Sequence, residues 1–408
     1  MKAERNFPAF TVSKKCENSV RAGHPWVYAD EIRSCPDEVE NGCIADVFSE
    51  KGSYLGSGFV SLRSKIRIRI LSDNANESFG EKFFARRIRY ALDYRKTVMG
   101  EDFSACRLIH GESDGMPGLT VDRYGDILSV QILSYGMDRI KDMLFRLLTE
   151  ELAKDGVEVS GIMERNDAAI RVLEGLEQYK GWYHGKFLPD PPSPVTEITE
   201  NGVKYLVDVE NGQKTGFFLD QKYNRLAAAK IARGKKVLDC FTHTGSFALN
   251  CAYGGAEHVT AVDVSRFAVD TAQENAVRNG LEGKMDFMCA DVFDLLPRLA
   301  EEHIRYDMII LDPPAFTKSR KTVGSAERGY KEINYRAMKL LPRGGYLATC
   351  SCSHFMNNEL FVKMLMSAAK DAGVQLKLIE ARQQAPDHPI LLNVPETDYL
   401  KFYLFQTV

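Results

Sequence analysis

The sequence predicts an α/β protein whose C-terminal half is an open, mostly parallel sheet flanked by helices, preceded by a small β-barrel and a small α+β region. Three observations predict it. From about Gly202 onward, short apolar runs alternate with helical patterns, and such alternation builds a parallel sheet with helices on both faces. Near the N-terminus, strand-like runs punctuated by Gly42, Gly52, Gly56 and Gly58 take its place, as in the turns and bulges of a small barrel. Between them, Pro189-Asp-Pro-Pro-Ser-Pro194 excludes helix and central strand and reads as a stiff linker or crossover. The expected divisions are residues 1–73, 74–194 and 195–408.

The bulk properties bound the function. At 408 residues the chain exceeds one ordinary core. Its 44% hydrophobic and 27% charged residues are those of a globular protein, and the net charge of -3 gives no global sign of a polyanionic partner, although a local basic face remains compatible with it. The N-terminal MKAERNFPAF lacks the apolar core of a signal peptide, and no run approaches the ~18 apolar residues of a membrane span. Nine cysteines without C-x-x-C spacing suggest neither a zinc ribbon nor a disulfide framework, and reduced thiols in a cytoplasm are the expectation.

In the first segment, strands are expected at Cys43–Phe48, Tyr54–Ser61 and Lys65–Ile70. Arg63, Lys65, Arg67 and Arg69 alternate with Ile66, Ile68 and Ile70, so a strand would line one face with cations. That pattern serves a solvated edge strand or a contact face for a polyanion. The second segment opens with a basic helix holding Arg86, Arg87, Arg89, Arg95 and Lys96. Strands at Gly118–Asp122 and Ile127–Leu133, a helix at Asp138–Lys154 and a strand at Gly161–Glu164 follow. In the third, strands are expected at Val237–Phe241, His258–Asp263, Met285–Cys289, Met308–Leu311, Tyr346–Cys350 and Leu376–Glu380, with Tyr399–Phe405 last. Helices fall between them, among others at Arg266–Asn279 and Tyr330–Leu341.

Ligands of open α/β sheets sit at the carboxyl ends of the strands. The first strand ends in Asp239-Cys-Phe-Thr-His-Thr-Gly245, which lacks the second glycine that seats a pyrophosphate. That argues against NAD and for a cofactor without phosphates. Asp263, ending the second strand, can accept ribose hydroxyls, and Asp291, after the third, can take an exocyclic adenine amine. Each acid alone could simply cap the next helix. Three in series with Gly245 point to a bound cofactor.

The fourth strand runs into Asp312-Pro-Pro-Ala-Phe316, where two prolines fix the backbone. This aims a carboxylate and a ring at the crevice, which suits a flipped base, whereas a tight loop around a buried Phe is the plain alternative. The fifth strand ends in Ala348-Thr-Cys-Ser-Cys-Ser353. Cytosine C5 is a poor nucleophile until a thiolate adds to C6, so a cysteine beside an acid for N3 fits that chemistry. Strand parity does not separate Cys350 from Cys352. Cys350 lies deeper in the apolar run and is expected in the core, leaving Cys352 as candidate nucleophile and Asp312 as its acid.

An ordered series of motifs across nearly the whole chain carries a resemblance. The series is Gly23-His-Pro-Trp-Val-Tyr28, Glu112-Ser-Asp-Gly-Met-Pro-Gly-Leu-Thr-Val-Asp122, Gln213-Lys-Thr-Gly-Phe-Phe-Leu-Asp220, Asp312-Pro-Pro-Ala-Phe316, Ser351-Cys-Ser353, Asp387-His-Pro389 and Pro395-Glu396. The chain resembles the bacterial large-subunit ribosomal RNA methyltransferases that form 5-methylcytosine. The resemblance implies a PUA domain, a small central domain and a Rossmann-like class I catalytic domain using S-adenosylmethionine. It implies Cys352 as nucleophile, RNA as partner and the Arg63, Lys65, Arg67 and Arg69 face as part of its contact. It further implies that Lys214, Thr215, Gly216, Phe217 and Asp220 help enclose a cofactor also held by Asp239, Thr242, Gly245, Asp263, Val264, Asp291 and Val292. Pro313, Pro314 and Phe316 would meet the base. Ala315 departs from the longer side chain common at that place. Rival expectations are methylation of a base nitrogen, which needs no cysteine, and a non-enzymatic RNA-binding assembly factor. A homodimer is compatible with the sequence.

Overall fold

Runs such as Val237-Leu-Asp239 and Met308–Leu311 are buried at every position, the mark of strands covered on both faces. In the computed structural model, which describes residues 6–317 and 319–408, they form the centre of a seven-stranded sheet. The first five residues, part of the segment read as lacking a leader, lie outside the described residues. The strands are β1 (Lys236–Cys240), β2 (His258–Asp263), β3 (Met285–Cys289), β4 (Met308–Leu311), β5 (Tyr346–Ser351), β6 (Leu376–Arg382) and β7 (Lys401–Thr407). Their order is β3-β2-β1-β4-β5-β7-β6. The first five are parallel, while β7 runs antiparallel to β5 and β6 antiparallel to β7. The strand order therefore reverses between β1 and β4, which creates a crevice at their carboxyl ends.

Helices α1 (Lys222–Ala232), α2 (Ser246–Tyr253), α3 (Arg266–Arg278), α4 (Val292–Glu301), α5 (Val323–Leu340) and α6 (Asn358–Ala372) accompany the sheet. Ser265, Asp291 and Asn357 cap α3, α4 and α6 by accepting backbone N–H bonds. The last two helices press Tyr330, Ile333, Phe361, Met364 and Leu365 into a core with Ile309, Leu311 and Leu347. Helix α5 starts seven residues before the expected Tyr330, because Gly324 and Gly329 dilute the apolar period there.

The chain divides into two units. One holds Met1–Ile198, Val207–Leu219 and Pro386–Thr397, and the other holds Thr199–Leu206, Asp220–Ala385 and Asp398–Val408. The return of Pro386–Thr397 to the first unit is absent from the linear division at residues 194/195. Buried polar groups hold it there. Asp387 is fully buried, its carboxylate accepts the Arg107 N–H at 2.8 Å, and its carbonyl accepts from Arg95 at 2.9 Å.

The first unit contains two sheets. The six-stranded one runs Trp26–Tyr28, Ile66–Ser72, Tyr54–Val60, Ile44–Ser49, Ala9–Val12, Ile32–Ser34 around a core that includes Phe10, Val12, Val27, Val47 and Ile68. At Gly58 a Cβ would lie 1.9 Å from the Arg69 carbonyl, so only glycine fits this bulge. The five-stranded sheet adds Ala105–His110 and Tyr179–Trp182 to the three expected strands.

The expected row of four cations is corrected. The strand begins at Ile66, so Arg63 and Lys65 lie on the preceding turn, where both are exposed. Arg67 is partly exposed and donates to the Leu62 carbonyl. Arg69 is only 8% exposed and pairs with the buried Glu174 at 2.8 Å. A desolvated arginine needs such a partner more than it can serve a solvent-facing phosphate. The basic helix, at Glu81–Met99, is likewise largely committed: Arg89 and Lys96 pair with Asp155, Arg95 with Asp114 and Arg86 with Glu77.

Candidate active site

Two groups of side chains gather at the carboxyl edge of the seven-stranded sheet. The first lies at β1, β2 and β3. Beyond β1, Phe241, His243 and Gly245 have φ of 67°, 54° and 85°. For the two non-glycine residues this left-handed backbone costs on the order of 1–3 kcal/mol each and persists only when neighbours enforce it. Asp239 enforces it from behind. Its Oδ2 accepts from Thr242 Oγ1 at 2.6 Å and from the Ala248 N–H in the first turn of α2 at 2.9 Å. Asp263 holds the front, its Oδ2 accepting from the His243 N–H and its Oδ1 from the Ser265 N–H, both at 2.9 Å. Gly245 is favoured by its φ, and packing adds to this, since a Cβ would crowd Ala272 Cβ at 3.0 Å and Leu249 Cδ1 at 3.1 Å.

These contacts divide the three acids. Asp239 is fully buried, its Oδ1 has no partner among the described residues, and burial pushes its carboxyl up to about 7. Its Oδ2 frames the loop from within, so any part in holding a cofactor falls to the shape it gives that loop and to Oδ1. Asp263 is partly exposed, and each oxygen that accepts one backbone bond keeps a lone pair for a diol. Asp291 caps α4 through the Phe293 N–H at 2.8 Å, so the plain reading holds, yet its carboxylate is exposed at the same edge. Of the two valines, Val264 is 71% exposed beside Asp263, whereas Val292 is 3% exposed in the core and its side chain is withdrawn from any ligand. Burial draws the His243 imidazole down to about 4, so it is neutral at ordinary pH. Phe293, 41% exposed, and His243 are site residues that sequence reasoning missed.

Of the expected enclosing segment, Asp220 belongs to the second unit, and its carboxylate accepts from Tyr399 Oη at 2.7 Å. Lys214, Thr215, Gly216 and Phe217 belong to the first unit. There Thr215 Oγ1 donates to Asp122 at 2.5 Å, the Phe217 N–H donates to Tyr124 Oη at 3.1 Å, and the Lys214 ammonium lies 4.7 Å from the Phe218 ring centroid.

The second group lies at β4, β5 and β7. Asp312 follows β4, and its Oδ1 accepts from Gln221 Nε2 at 3.0 Å. Burial, opposed by the Arg225 guanidinium and reinforced by Asp220, raises its carboxyl to about 6. Pro313 is buried and Pro314 exposed. The partly buried Phe316 ring sits 4.6 Å from Tyr330 and 6.0 Å from Phe293, so one side of it is packed in the manner of the plain reading.

The cysteines separate for a reason strand parity could not supply. Strand β5 ends at Ser351, so Cys352 lies past the pleat. Cys350 is fully buried, and burial with the Asp312 charge pushes its thiol far above the usual range. Cys352 is partly exposed, its Sγ 4.0 Å from the Pro313 carbonyl on the neighbouring loop. Its flanking serines are fixed: Ser351 Oγ donates to Tyr330 Oη at 3.1 Å, and Ser353 Oγ lies 3.0 Å from the same hydroxyl. Gln221, Tyr330 and Lys401 were also missed. A lysine opening the apolar run Leu400-Lys-Phe-Tyr-Leu-Phe405 was the available signal for the last.

The donors fit an adenosyl cofactor at β1–β3: a carboxylate with spare lone pairs, an exposed apolar side chain beside it, and no phosphate-binding glycine pair. Comparison with known proteins agrees. A family described as S-adenosylmethionine-dependent methyltransferase matches residues 167–406, and a PUA-like domain matches residues 10–73. A protein of Aeromonas hydrophila named Ribosomal RNA large subunit methyltransferase I is 42% identical over 387 residues, 94% of this chain and 96% of that protein. One of Aliivibrio fischeri with the same name is 40% identical over 399 residues, covering 97% and 98%. Among solved structures, a protein from Streptococcus mutans described as a SAM-dependent methyltransferase superposes with a TM-score of 0.81, and SMU.776, solved with SAH, with 0.82. Each is 22% identical and spans 98% of this chain and 99% of its own, so they share its fold.

Proposed function

The chain belongs to the S-adenosylmethionine-dependent methyltransferases, in the family of ribosomal RNA large subunit methyltransferase I, and we propose that it methylates C5 of a cytosine in large-subunit ribosomal RNA through a covalent adduct on Cys352. The observation that carries this reading is the placing, on two adjacent strand ends, of a partly exposed thiol 4.0 Å from the Pro313 carbonyl and, one residue before that proline, a half-buried carboxyl raised to about 6.

S-adenosylmethionine, when bound, supplies an electrophilic methyl group. Asp263 would hold its ribose, Val264 and Phe293 its adenine face, and Asp291 its amine, with Asp220, Thr242 and the Gly245 loop around it. The Cys352 thiolate donates an electron pair to C6, forming the S–C6 bond, and the C5–C6 π pair becomes nucleophilic at C5. Asp312, protonated in part because its carboxyl titrates near 6, gives its proton to N3 as negative charge develops there. C5 then accepts the methyl group. Loss of the C5 proton to a base expels Cys352 as thiolate, and N3 returns its proton to Asp312, which restores the ring and the acid. Pro313, Pro314 and Phe316 shape the wall the base meets, and Arg63, Lys65 and Arg67 offer cations to the RNA backbone.

The test is mass spectrometry of nucleosides from RNA methylated by the protein. The expected product is 5-methylcytidine, absent with Cys352→Ala. Methyl groups on a base nitrogen, with Cys352→Ala fully active, would replace this reading by the nitrogen-methylating one.

A further inference from the structure

We propose that Lys401 is a positioning residue for Cys352, a buried ammonium locked behind the Ser351–Ser353 turn that favours the thiolate form of the nucleophile. The proposal rests on the reading of Cys352 given above. Three observations support it. First, Lys401 opens β7 directly opposite Ser351 in the antiparallel register, so the strand pairing brings it to the cysteine turn. Second, although only 6% exposed, it forms no ion pair with a carboxylate among the described residues. Its Nζ instead donates to two carbonyls, Ser353 O at 2.7 Å and Tyr399 O at 2.8 Å. One of those carbonyls belongs to the residue next to Cys352. Third, a buried ammonium whose hydrogen-bond acceptors are neutral carbonyls is costly unless negative charge answers it. The charges in electrostatic reach are those of Cys352, the larger, and Asp398, each acting to hold the Lys401 proton on.

That coupling is reciprocal. What a thiolate does for the ammonium, the ammonium does for the thiolate. Burial draws Lys401 down to about 8, while Cys352 and Asp398 oppose the fall, so the group remains largely cationic at neutral pH. Titratable groups near the turn among the described residues include Tyr330, whose hydroxyl burial pushes up to about 12, Asp312 with the Cys350 thiol beside it, and the exposed His354 that follows Ser353. Tyr330 is therefore neutral there and Asp312 is acidic, so neither supplies positive charge, and His354 is in solvent, which leaves Lys401 as the buried cation at the turn.

The experiment follows alkylation of Cys352 by iodoacetamide in the full-length protein across pH 5 to 10, with the modified peptide quantified by mass spectrometry. Wild type should show a midpoint below the ~8.5 of a free thiol. Lys401→Met and Lys401→Gln should move that midpoint up by about one pH unit or more, and Lys401→Arg should largely retain it. Retained thermal unfolding and S-adenosylhomocysteine binding establish that the variants are folded. In methyl transfer, Lys401→Met should lower kcat and shift its pH optimum upward while leaving KM for S-adenosylmethionine unchanged. An unmoved alkylation midpoint in both neutral variants overturns the proposal. The parallel measurement with Cys352→Ser keeps the two claims apart: full methylation by that variant removes the nucleophile reading whatever Lys401 does. An inactive Cys352→Ser variant with an unmoved midpoint removes Lys401 alone.

Discussion

The two halves of the sheet edge use the same residue types for opposite purposes. At β2 and β3 the carboxylates are exposed or partly so, and they accept backbone N–H bonds at 2.8–2.9 Å. At β4, β5 and β7 the ionisable groups are buried or, for Asp312, half-buried, and desolvation moves them: Asp312 to about 6, Lys401 to about 8, Tyr330 to about 12. A cofactor that is bound and released needs fixed hydrogen-bond geometry and a settled charge. A site that must move protons at neutral pH needs groups displaced toward neutrality. Asp239 shows that burial alone does not assign a role, since it titrates near 7 yet is spent on framing a loop.

The largest expected effect contrasts two sulfur atoms two residues apart. Cys352→Ala should reduce methyl transfer by at least about 10³-fold, as removal of a nucleophile does, with S-adenosylmethionine affinity unchanged by calorimetry. Cys350→Ala, in the buried position, should lower stability and leave the chemistry in place. Comparable losses from both would break the distinction drawn between exposed and buried thiol.

Asp312→Asn should slow methyl transfer by about 10²–10⁴-fold if the acid acts at N3. It should also report on stability with a definite sign. The folded carboxyl titrates near 6 against an ordinary 3.8, so its stabilising contribution is complete below about pH 4 and disappears as pH rises through 6. The cost at pH 8 is on the order of 2–3 kcal/mol. Unfolding followed in urea should therefore show Asp312→Asn gaining stability relative to wild type between pH 4 and pH 7. A constant difference across that window would mean the carboxyl is not displaced.

On the cofactor side the effects should be smaller and confined to binding. Asp263→Asn exchanges a charged acceptor for a neutral amide, and about 1.5–3 kcal/mol, or roughly 10- to 150-fold in Kd for S-adenosylmethionine, is expected. Asp291→Ala removes a helix cap worth about 1 kcal/mol, so thermal unfolding should shift modestly, with weaker binding only if its carboxylate meets the adenine amine. A large catalytic defect at saturating cofactor from either variant would contradict the division of labour between the halves.

Much of this was legible because the sheet strands are short apolar runs, the central ones buried on both faces and Met285–Cys289 half-buried at the edge. His258–Asp263, Met285–Cys289 and Met308–Leu311 have the limits their residues announce, and the acids at their ends follow. The strand Ala105–His110 was not legible, because Arg107 and His110 interrupt its pattern and only pairing with Leu119–Tyr124 makes it a strand. Local sequence determined periodicity, turn chemistry and which side chains could carry the reaction, including Asp312 and the cysteine pair. Tertiary structure decided which of them meet solvent and which meet each other. Arg69 faces Glu174 instead of a phosphate, Asp387 leaves the catalytic unit for a buried place beside Arg95 and Arg107, and β5 stops one residue short of Cys352. The reason is physical: periodicity is a property of neighbours along the chain, whereas desolvation and charge pairing depend on residues that only folding brings together.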